Sequence, residues 1–403
     1  MYKLFVLGMT DSILTTKQER LLINCSVIVG TKRFTELTVH LPGRFVAITP
    51  LATALASIRS SLQTGNVAVL ASGDPLFFGI GRRLLAEFPE DTVQFYPALS
   101  SIQRACALFK VPWDDAKITS LHGRNTCHIP GLLLNNPKNL VLTDGENSPD
   151  HIAQLLLDYL RLIGETVLPD TIRVLVAEDL GLDNEKLFCG NLLEASKQQF
   201  SPLNILCLLV PGVPDNTTYR FGLTEDSIQH SRGLITKNEV RAATLHQLQL
   251  PTTGILWDIG AGSGSLSIEA ARMNPELTVY SIEHKEEELE NIKNNIVKFG
   301  CYNIVPVFGR APEALDYLPD PHRVFIGGSS GSLPDLVTLI AKRLETAGRL
   351  VINGVIEKTV QAAPELMKKH GFTVNSSIIQ VSRTGSDGST LAFNPITIMT
   401  GTR

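Results

Sequence analysis

The amino-acid sequence predicts an α/β protein built of more than one domain. Three observations carry this expectation. The chain has 403 residues, more than one hydrophobic core ordinarily serves, so two or three domains are expected. Short apolar runs alternate with segments of helical periodicity, the pattern of largely parallel α/β layers. One run, Ile255–Ile259, passes directly into a glycine-rich turn and a new helix, the opening of a doubly wound, Rossmann-like sheet.

In chain order the expected amino-terminal strands are Leu4–Leu7, Ser26–Val29, Val67–Leu70, Thr92–Tyr96, Leu140–Leu142, Ile172–Val176 and Ile205–Val210. Each is a short apolar run, rich in β-branched residues or Leu, of the kind buried on both faces of a sheet. Helix starts stand between them. Thr16 with Glu19, and Ser100 with Gln103, have the spacing of a capping box, in which two side chains satisfy orphan amides of the first turn. Ser148-Pro149 places an N-cap before a proline at the first helical position, and so does Asp74-Pro75. After Ser148 the spacing puts Ile152, Leu155, Leu156, Tyr159 and Leu160 on one helix face. The run from Pro211 to Thr218 holds turn formers without apolar periodicity. Residues 211–231 are therefore expected to connect an amino-terminal unit, 1–210, with a carboxy-terminal one, 232–403. Thr236 with Glu239 reads as a further capping box, opening a helix to about Leu248.

Bulk properties exclude several classes. A formal net charge of −4 gives no global attraction to nucleic acid or an anionic membrane, so neither is an expected partner. No apolar run approaches the roughly 20 residues of a membrane span. The six cysteines form no C-x-x-C pair and have no histidine at ligand spacing. That points to a reducing, cytoplasmic setting, with no disulfide framework and no bound metal expected.

The carboxy-terminal site is the more specific one. Asp258-Ile259 leads into Gly260-Ala261-Gly262-Ser263-Gly264 and then a helix over Ser265–Arg272. Glycines let backbone approach a ligand closely, and a helix amino terminus offers free N–H groups. The dinucleotide fingerprint is G-x-G-x-x-G; here the third glycine falls one place early, which opposes a dinucleotide oxidoreductase. Asp258 stands where a carboxylate would meet a sulfonium and an amino acid ammonium. The next strand, Thr278–Ile282, ends at Glu283, placed to accept both ribose hydroxyls of a nucleoside. Phe308 to Glu313, with Arg310 and Ala311, should border the adenine. Gly327-Gly328-Ser329-Ser330-Gly331 ends the fourth strand, where a methyl acceptor would lie. A nucleic-acid or protein methyltransferase would show a basic patch or an N-P-P-[YF] motif there instead.

These residues carry a resemblance. Gly233 to Arg241, the W-D-I-G-A-G-S-G-S loop, A-P-E-A-L at Ala311–Leu315 and F-I-G-G-S at Phe325–Ser329 resemble the decarboxylating precorrin methyltransferases of cobalamin synthesis. The resemblance implies S-adenosylmethionine contacts from Thr236, Gly260 to Gly264, Glu283 and Ala311. Residues 1–210 resemble the tetrapyrrole methylases through Ala71–Gly79, Tyr96–Gln103, Ser120-Leu121-His122-Gly123-Arg124, Leu142–Gly145 and Glu178–Gly181. That resemblance implies two α/β subdomains, about 1–112 and 113–210, with S-adenosylmethionine between them near Gly8, Asp74, Phe77, Ser100 and Ser101. His122 is the candidate general base there and Arg124 a candidate carboxylate clamp; Arg310 and Lys358 are further basic candidates. The loop from Gly8 to Ile13 departs from the family, being about three residues short of its glycine-rich form. Together the two resemblances imply a cytoplasmic homo-oligomer that methylates a precorrin at carbons 5 and 15 and decarboxylates an acetate side chain. The alternative kept beside it is a cobalt-bearing substrate, with the amino-terminal half only a binding scaffold.

Overall fold

The computed structural model describes residues 2–10, 13–121, 128–213, 220–231, 233 and 235–403. The first sheet holds β1 (Leu4–Met9), β2 (Cys25–Gly30), β3 (Arg44–Ala47), β4 (Asn66–Ser72) and β5 (Val93–Tyr96) in the order β3-β2-β4-β1-β5. All its pairings are parallel. Its central strands are apolar on both faces because helices cover both: Val6, Val29, Val67 and Val69 pack on one side, Leu7, Ile28, Ala68 and Leu70 on the other.

The second sheet departs from the parallel expectation. It holds β6 (Lys117–Ser120), β7 (Lys138–Leu142), β8 (Arg173–Glu178), β9 (Lys186–Gly190) and β10 (Asn204–Leu209) in the order β6-β7-β10-β8-β9. Only β6 with β7 is parallel; β10 runs antiparallel to both β7 and β8, and β9 folds back on β8. The reason is the last strand, which inserts between β7 and β8, a long-range pairing that no local pattern encodes.

The third sheet holds β11 (Gly254–Ile259), β12 (Leu277–Glu283), β13 (Ile304–Phe308), β14 (Arg323–Ile326), β15 (Arg349–Gly354), β16 (Thr373–Ile379) and, after the hairpin β17 (Ser382–Thr384) and β18 (Thr390–Ala392), β19 (Ile396–Thr402). The order is β13-β12-β11-β14-β15-β19-β16, parallel through β15 and antiparallel at β19 and β16. This is the doubly wound α/β core that the sequence predicts. Its helices follow local rules: Glu286–Phe299 starts with three glutamates, carries Lys298 in its last turn, and stops at Gly300 with φ 61°.

Two capping expectations shift. The first helix is capped by Thr15 and Gln18, one residue earlier than the Thr16–Glu19 spacing suggested. The Gln18 amide also donates to the Gly8 carbonyl at 2.9 Å, an anchor Glu19 cannot supply. The helix Asn238–Leu248 is preceded by Lys237, with no side-chain cap from Thr236. Glu239 instead takes the Arg383 guanidinium of the β17–β18 hairpin, at 2.9 and 2.7 Å. A charge-assisted fork outcompetes a neutral cap. Ser100 with Gln103 forms the expected box.

The second and third sheets share one apolar cluster, which joins Leu156 and Leu160 of the helix Pro149–Leu162 to Ile268, Ala271 and Ile304. Polar bonds stitch the same contact. The Tyr159 hydroxyl donates to the Ile304 carbonyl at 2.7 Å, and His128 Nε2 lies 2.9 Å from the Tyr302 carbonyl. Burial pushes the His128 pKa down to about 4, so its ring is neutral and donates. Asn303 gives its amide to the carbonyls of Ala271, Asn274 and Leu277 while accepting from Asn135.

Gly222 and Leu223 of the connection are held no less firmly. Arg241 and Glu269, both almost fully buried, pair at 3.4 Å. Glu269 accepts the amides of Leu223 at 2.7 Å and Gly222 at 3.1 Å, and Arg241 donates to the Leu223 carbonyl. Removing one partner leaves the other charge buried alone, which costs about 3–5 kcal/mol. Glu269→Ala should therefore lose that much in denaturant unfolding, and the double variant Arg241→Met/Glu269→Ala should recover part of it. A double variant no better than the single would contradict this account.

Candidate functional site

The carboxy-terminal cavity, about 260 Å³, opens where β11, β12, β13 and β14 end. Backbone geometry builds it. Gly260, Gly262 and Gly264 have φ of 69°, 56° and 74°, a region that L residues avoid. A Cβ on Gly260 would lie 2.5 Å from the Gly328 carbonyl oxygen, so the loops after β11 and β14 can touch only through glycine. Above Gly262 there is open space, and its amide donates to Glu283 Oε2 at 2.9 Å. Glu283 Oε1 accepts the amides of His284 at 2.8 Å and Lys285 at 3.0 Å. The carboxylate is thus fixed at the cavity wall by backbone donors, with lone pairs left for a ligand's hydroxyls.

Gly260, Gly262, Glu283, Arg310 and Ala311 line this cavity, joined by His284, Lys285 and Glu288, which the sequence reading did not single out. Their signal was adjacency, since two of them directly follow Glu283. Gly328, Ser329 and Ser330 supply the opposite wall. Ala261, Ser263, Gly264, Thr236 and Lys358 stand off it: Ser263 is buried with its carbonyl held by Asn295, Gly264 caps the helix Ser265–Met273, and the Thr236 carbonyl accepts from Arg241. Asp258 is the clearest displacement. It is fully buried beneath the loop, with Oδ2 bonded to Ser267 Oγ at 2.6 Å and no hydrogen bond at Oδ1 among the described residues. Burial raises its pKa to about 7.

The amino-terminal cleft lies between the first and second sheets and encloses about 390 Å³. It sits at the carboxyl ends of β1, β4 and β5, where parallel sheets hold ligands. A Cβ on Gly8 would come 2.1 Å from the Gly73 carbonyl oxygen and 2.5 Å from the Ala98 amide, so glycine lets these three strand ends converge. Ser101 and Gly73 line the cleft with Met9, Thr10, Arg33 and Arg104; the second sheet contributes Thr143, Asp179 and Asn204. Gly8 and Ser100 support this wall from behind. Asp74 accepts the Leu76 amide at 2.9 Å and so closes a turn rather than capping a helix, which begins only at Gly81. Phe77 packs against Ile102 and its neighbours in the core. A further cavity, about 490 Å³, shares Leu142, Thr143 and Asn204 and adds Phe78 and Arg82. The motif Glu178-Asp179 is spent on structure: Ser201 donates to both carboxylates and Asn184 to Asp179. His122 and Arg124 lie outside the described residues, as does Asp11 of the shortened loop.

Two measurements check this geometry. Gly262→Val or Glu283→Ala in the full chain should remove one S-adenosylmethionine-binding event by calorimetry and leave any other intact; unchanged stoichiometry and affinity in both would refute the placement. The second concerns Asp258. Its folded pKa is raised above the unfolded value, so its contribution to stability is present below about 4 and is lost as pH rises to about 7. Asp258→Asn should therefore gain stability relative to the parent between pH 5 and 8, by at most about 4 kcal/mol. A melting difference flat across that range would contradict the buried carboxylate.

With the geometry in place, comparison with known proteins becomes informative. Residues 8–196 match the family model for tetrapyrrole (corrin/porphyrin) methylases. Residues 227–402 match that for the precorrin methyltransferase domain. A relative from Sinorhizobium, precorrin-6Y C(5,15)-methyltransferase [decarboxylating], is 31% identical over 94% of this chain and 89% of its own length. A probable cobalt-precorrin-6B C(15)-methyltransferase (decarboxylating) from Pyrobaculum calidifontis is 35% identical over 44% of this chain and 94% of its own. Among solved structures, a precorrin-6Y C5,15-methyltransferase from Geobacter metallireducens is 38% identical, covering 46% of this chain and all of that one, with a TM-score of 0.45. On the full-length match, this chain belongs to the family of decarboxylating precorrin-6Y C(5,15)-methyltransferases.

Proposed function

We propose that this protein transfers methyl groups from S-adenosylmethionine to carbons 5 and 15 of a precorrin and removes carbon dioxide from an acetate side chain, taking precorrin-6Y to precorrin-8X in cobalamin biosynthesis. The observation that carries the reading is the presence of two separate cavities. Each stands at the carboxyl ends of parallel strands; the carboxy-terminal one lies wholly within one matched segment, and the amino-terminal one is lined mostly by the other.

When bound, S-adenosylmethionine supplies a methyl group already activated as a sulfonium, so the protein's contribution is alignment more than acid–base work. In the carboxy-terminal site Glu283 would accept the ribose hydroxyls and the open backbone at Gly262 would let the ligand lie close. Gly328, Ser329 and Ser330 leave room for the acceptor carbon. Loss of carbon dioxide leaves an electron pair that the conjugated macrocycle itself can take up. This half would perform one methylation and the decarboxylation. The amino-terminal cleft, with Gly73 and Ser101 at the strand ends, would perform the other methylation; His122 and Arg124 remain candidates there for base and clamp. Self-association belongs to the same reading, with β16 the outermost strand at one end of the sheet among the described residues, and light scattering would measure it.

A second reading is favoured by the Pyrobaculum relative, which matches only 44% of this chain yet 94% of its own length. On it, that half acts on a cobalt-bearing substrate and the amino-terminal half only binds. The discriminating variant is Gly73→Val in the full chain, where φ is 62° and a Cβ already sits 3.0 Å from Ser100 Cα. Mass spectrometry of the product from precorrin-6Y should then show one methyl gained and one carbon dioxide lost. If the variant still adds both methyls, the amino-terminal half is a scaffold.

A further inference from the structure

Arg33 occupies an unusual position in the amino-terminal cleft. It belongs to the single turn Lys32–Phe34 that follows β2, and its guanidinium reaches across to the Ser72 hydroxyl at the end of β4. The guanidinium carbon stacks 4.7 Å above the Phe34 ring, and Phe34 is itself buried. The group is therefore held in place by a hydrogen bond and an aromatic face. Yet it has no acidic side chain within salt-bridge distance among the described residues. The other charged groups of the cleft are committed. Arg104 pairs with Glu185 and donates to the Thr10 carbonyl, and the Asp179 carboxylate is held by Ser201 and Asn184. Where it packs against the Phe34 ring the guanidinium is partly desolvated, which lowers the Arg33 pKa, although the residue as a whole stays exposed.

A positioned guanidinium with spare parallel N–H groups matches a carboxylate. The cleft around it supplies the complementary apolar surface, with Leu99, Leu142, Leu180 and Leu203 among its walls. A flat macrocycle bearing acid side chains has this composition, apolar in the middle and anionic at its rim. Arg33 itself remains solvent-exposed, at the mouth of the cleft where a rim substituent would lie.

We infer that Arg33 is a specificity-determining residue that clamps a rim carboxylate of the macrocycle in the amino-terminal cleft. The inference rests on the proposed second methylation. It is distinct from the reading of Arg124, because Arg33 is fixed by β2 and β4 of the first sheet.

The test uses the full chain as Arg33→Met, which keeps an unbranched apolar stem but removes the charge and the planar fork, and as Arg33→Lys, which keeps the charge but not the fork. Each methylation of precorrin-6Y is followed separately by mass. Arg33→Met should raise KM for the second methylation about ten- to a hundredfold with little change in kcat, the usual loss for a charge-assisted pair. Arg33→Lys should restore part of it. The decarboxylating step should be unaffected, which reports that the variant is folded. S-adenosylhomocysteine affinity should stay within about twofold. An unchanged KM overturns the inference. So does loss of S-adenosylhomocysteine binding without a KM effect, which would assign the carboxylate to the methyl donor. If the parent adds no second methyl, the methylase reading fails by itself. Absorbance titration with precorrin-6Y then reads the clamp directly: Arg33→Met should lose one of two binding events, and equal titrations overturn it.

Discussion

Backbone carbonyls buried between the second and third sheets need donors, and the chain meets that need with side chains from both halves. Ile304 opens β13 and passes its carbonyl to Tyr159 of the other half. At the end of the helix Ser265–Met273 the Asn303 side-chain amide, from the same half, donates to the carbonyls of Ala271 and Asn274, while its oxygen accepts from Asn135 of the other half. An unsatisfied buried carbonyl costs about 1–3 kcal/mol, so the Tyr159 hydroxyl contributes directly to the contact between the halves. Because that helix begins at Gly264, the carboxy-terminal cavity is positioned by a helix whose far end is secured against the other half. The two halves are one packed body at this contact, and the connecting residues 220–231 lie strapped along its surface.

The two cavities follow from one device used twice. At a parallel sheet's carboxyl edge, strand ends converge only if one residue has no Cβ. Gly260 meets Gly328 in the third sheet, and Gly8 meets Gly73 in the first. The polar parts differ. The third sheet presents a carboxylate held ready by three amides, suited to hydroxyl donors. The first presents a guanidinium and serine hydroxyls, suited to an anion.

Much of this was legible in the sequence. The central strands announce themselves as apolar runs, and the glycine loop with Glu283 locates the cavity. What was not legible falls into kinds. Edge strands β3, β6 and β9 are only partly buried, and they lack the continuous apolar run that marks a central strand. The insertion of β10 between β7 and β8 is a tertiary choice. Asp258 was expected in the cavity because of its place in the chain, but strand alternation settles which face a residue takes, and Asp258 faces Ser267. Arg33 escaped notice because it sits in no glycine motif. Its signal was fainter: two basic residues directly after an apolar strand, Gly30-Thr31-Lys32-Arg33, where a parallel sheet holds its ligands.

The buried cysteines have a use as reporters. Cys25 lies under the first sheet, Cys106 and Cys207 under the second, and Cys301 beside the contact between halves. Burial raises the pKa of Cys25, Cys207 and Cys301 to about 12, so each thiol is inert while its layer stays closed. Cys189 alone of the described cysteines is exposed. A thiol reagent thus meets a surface standard and a set of timers sealed at three depths. The sequence in which those seals break would give the order in which the molecule comes apart, with no engineered label.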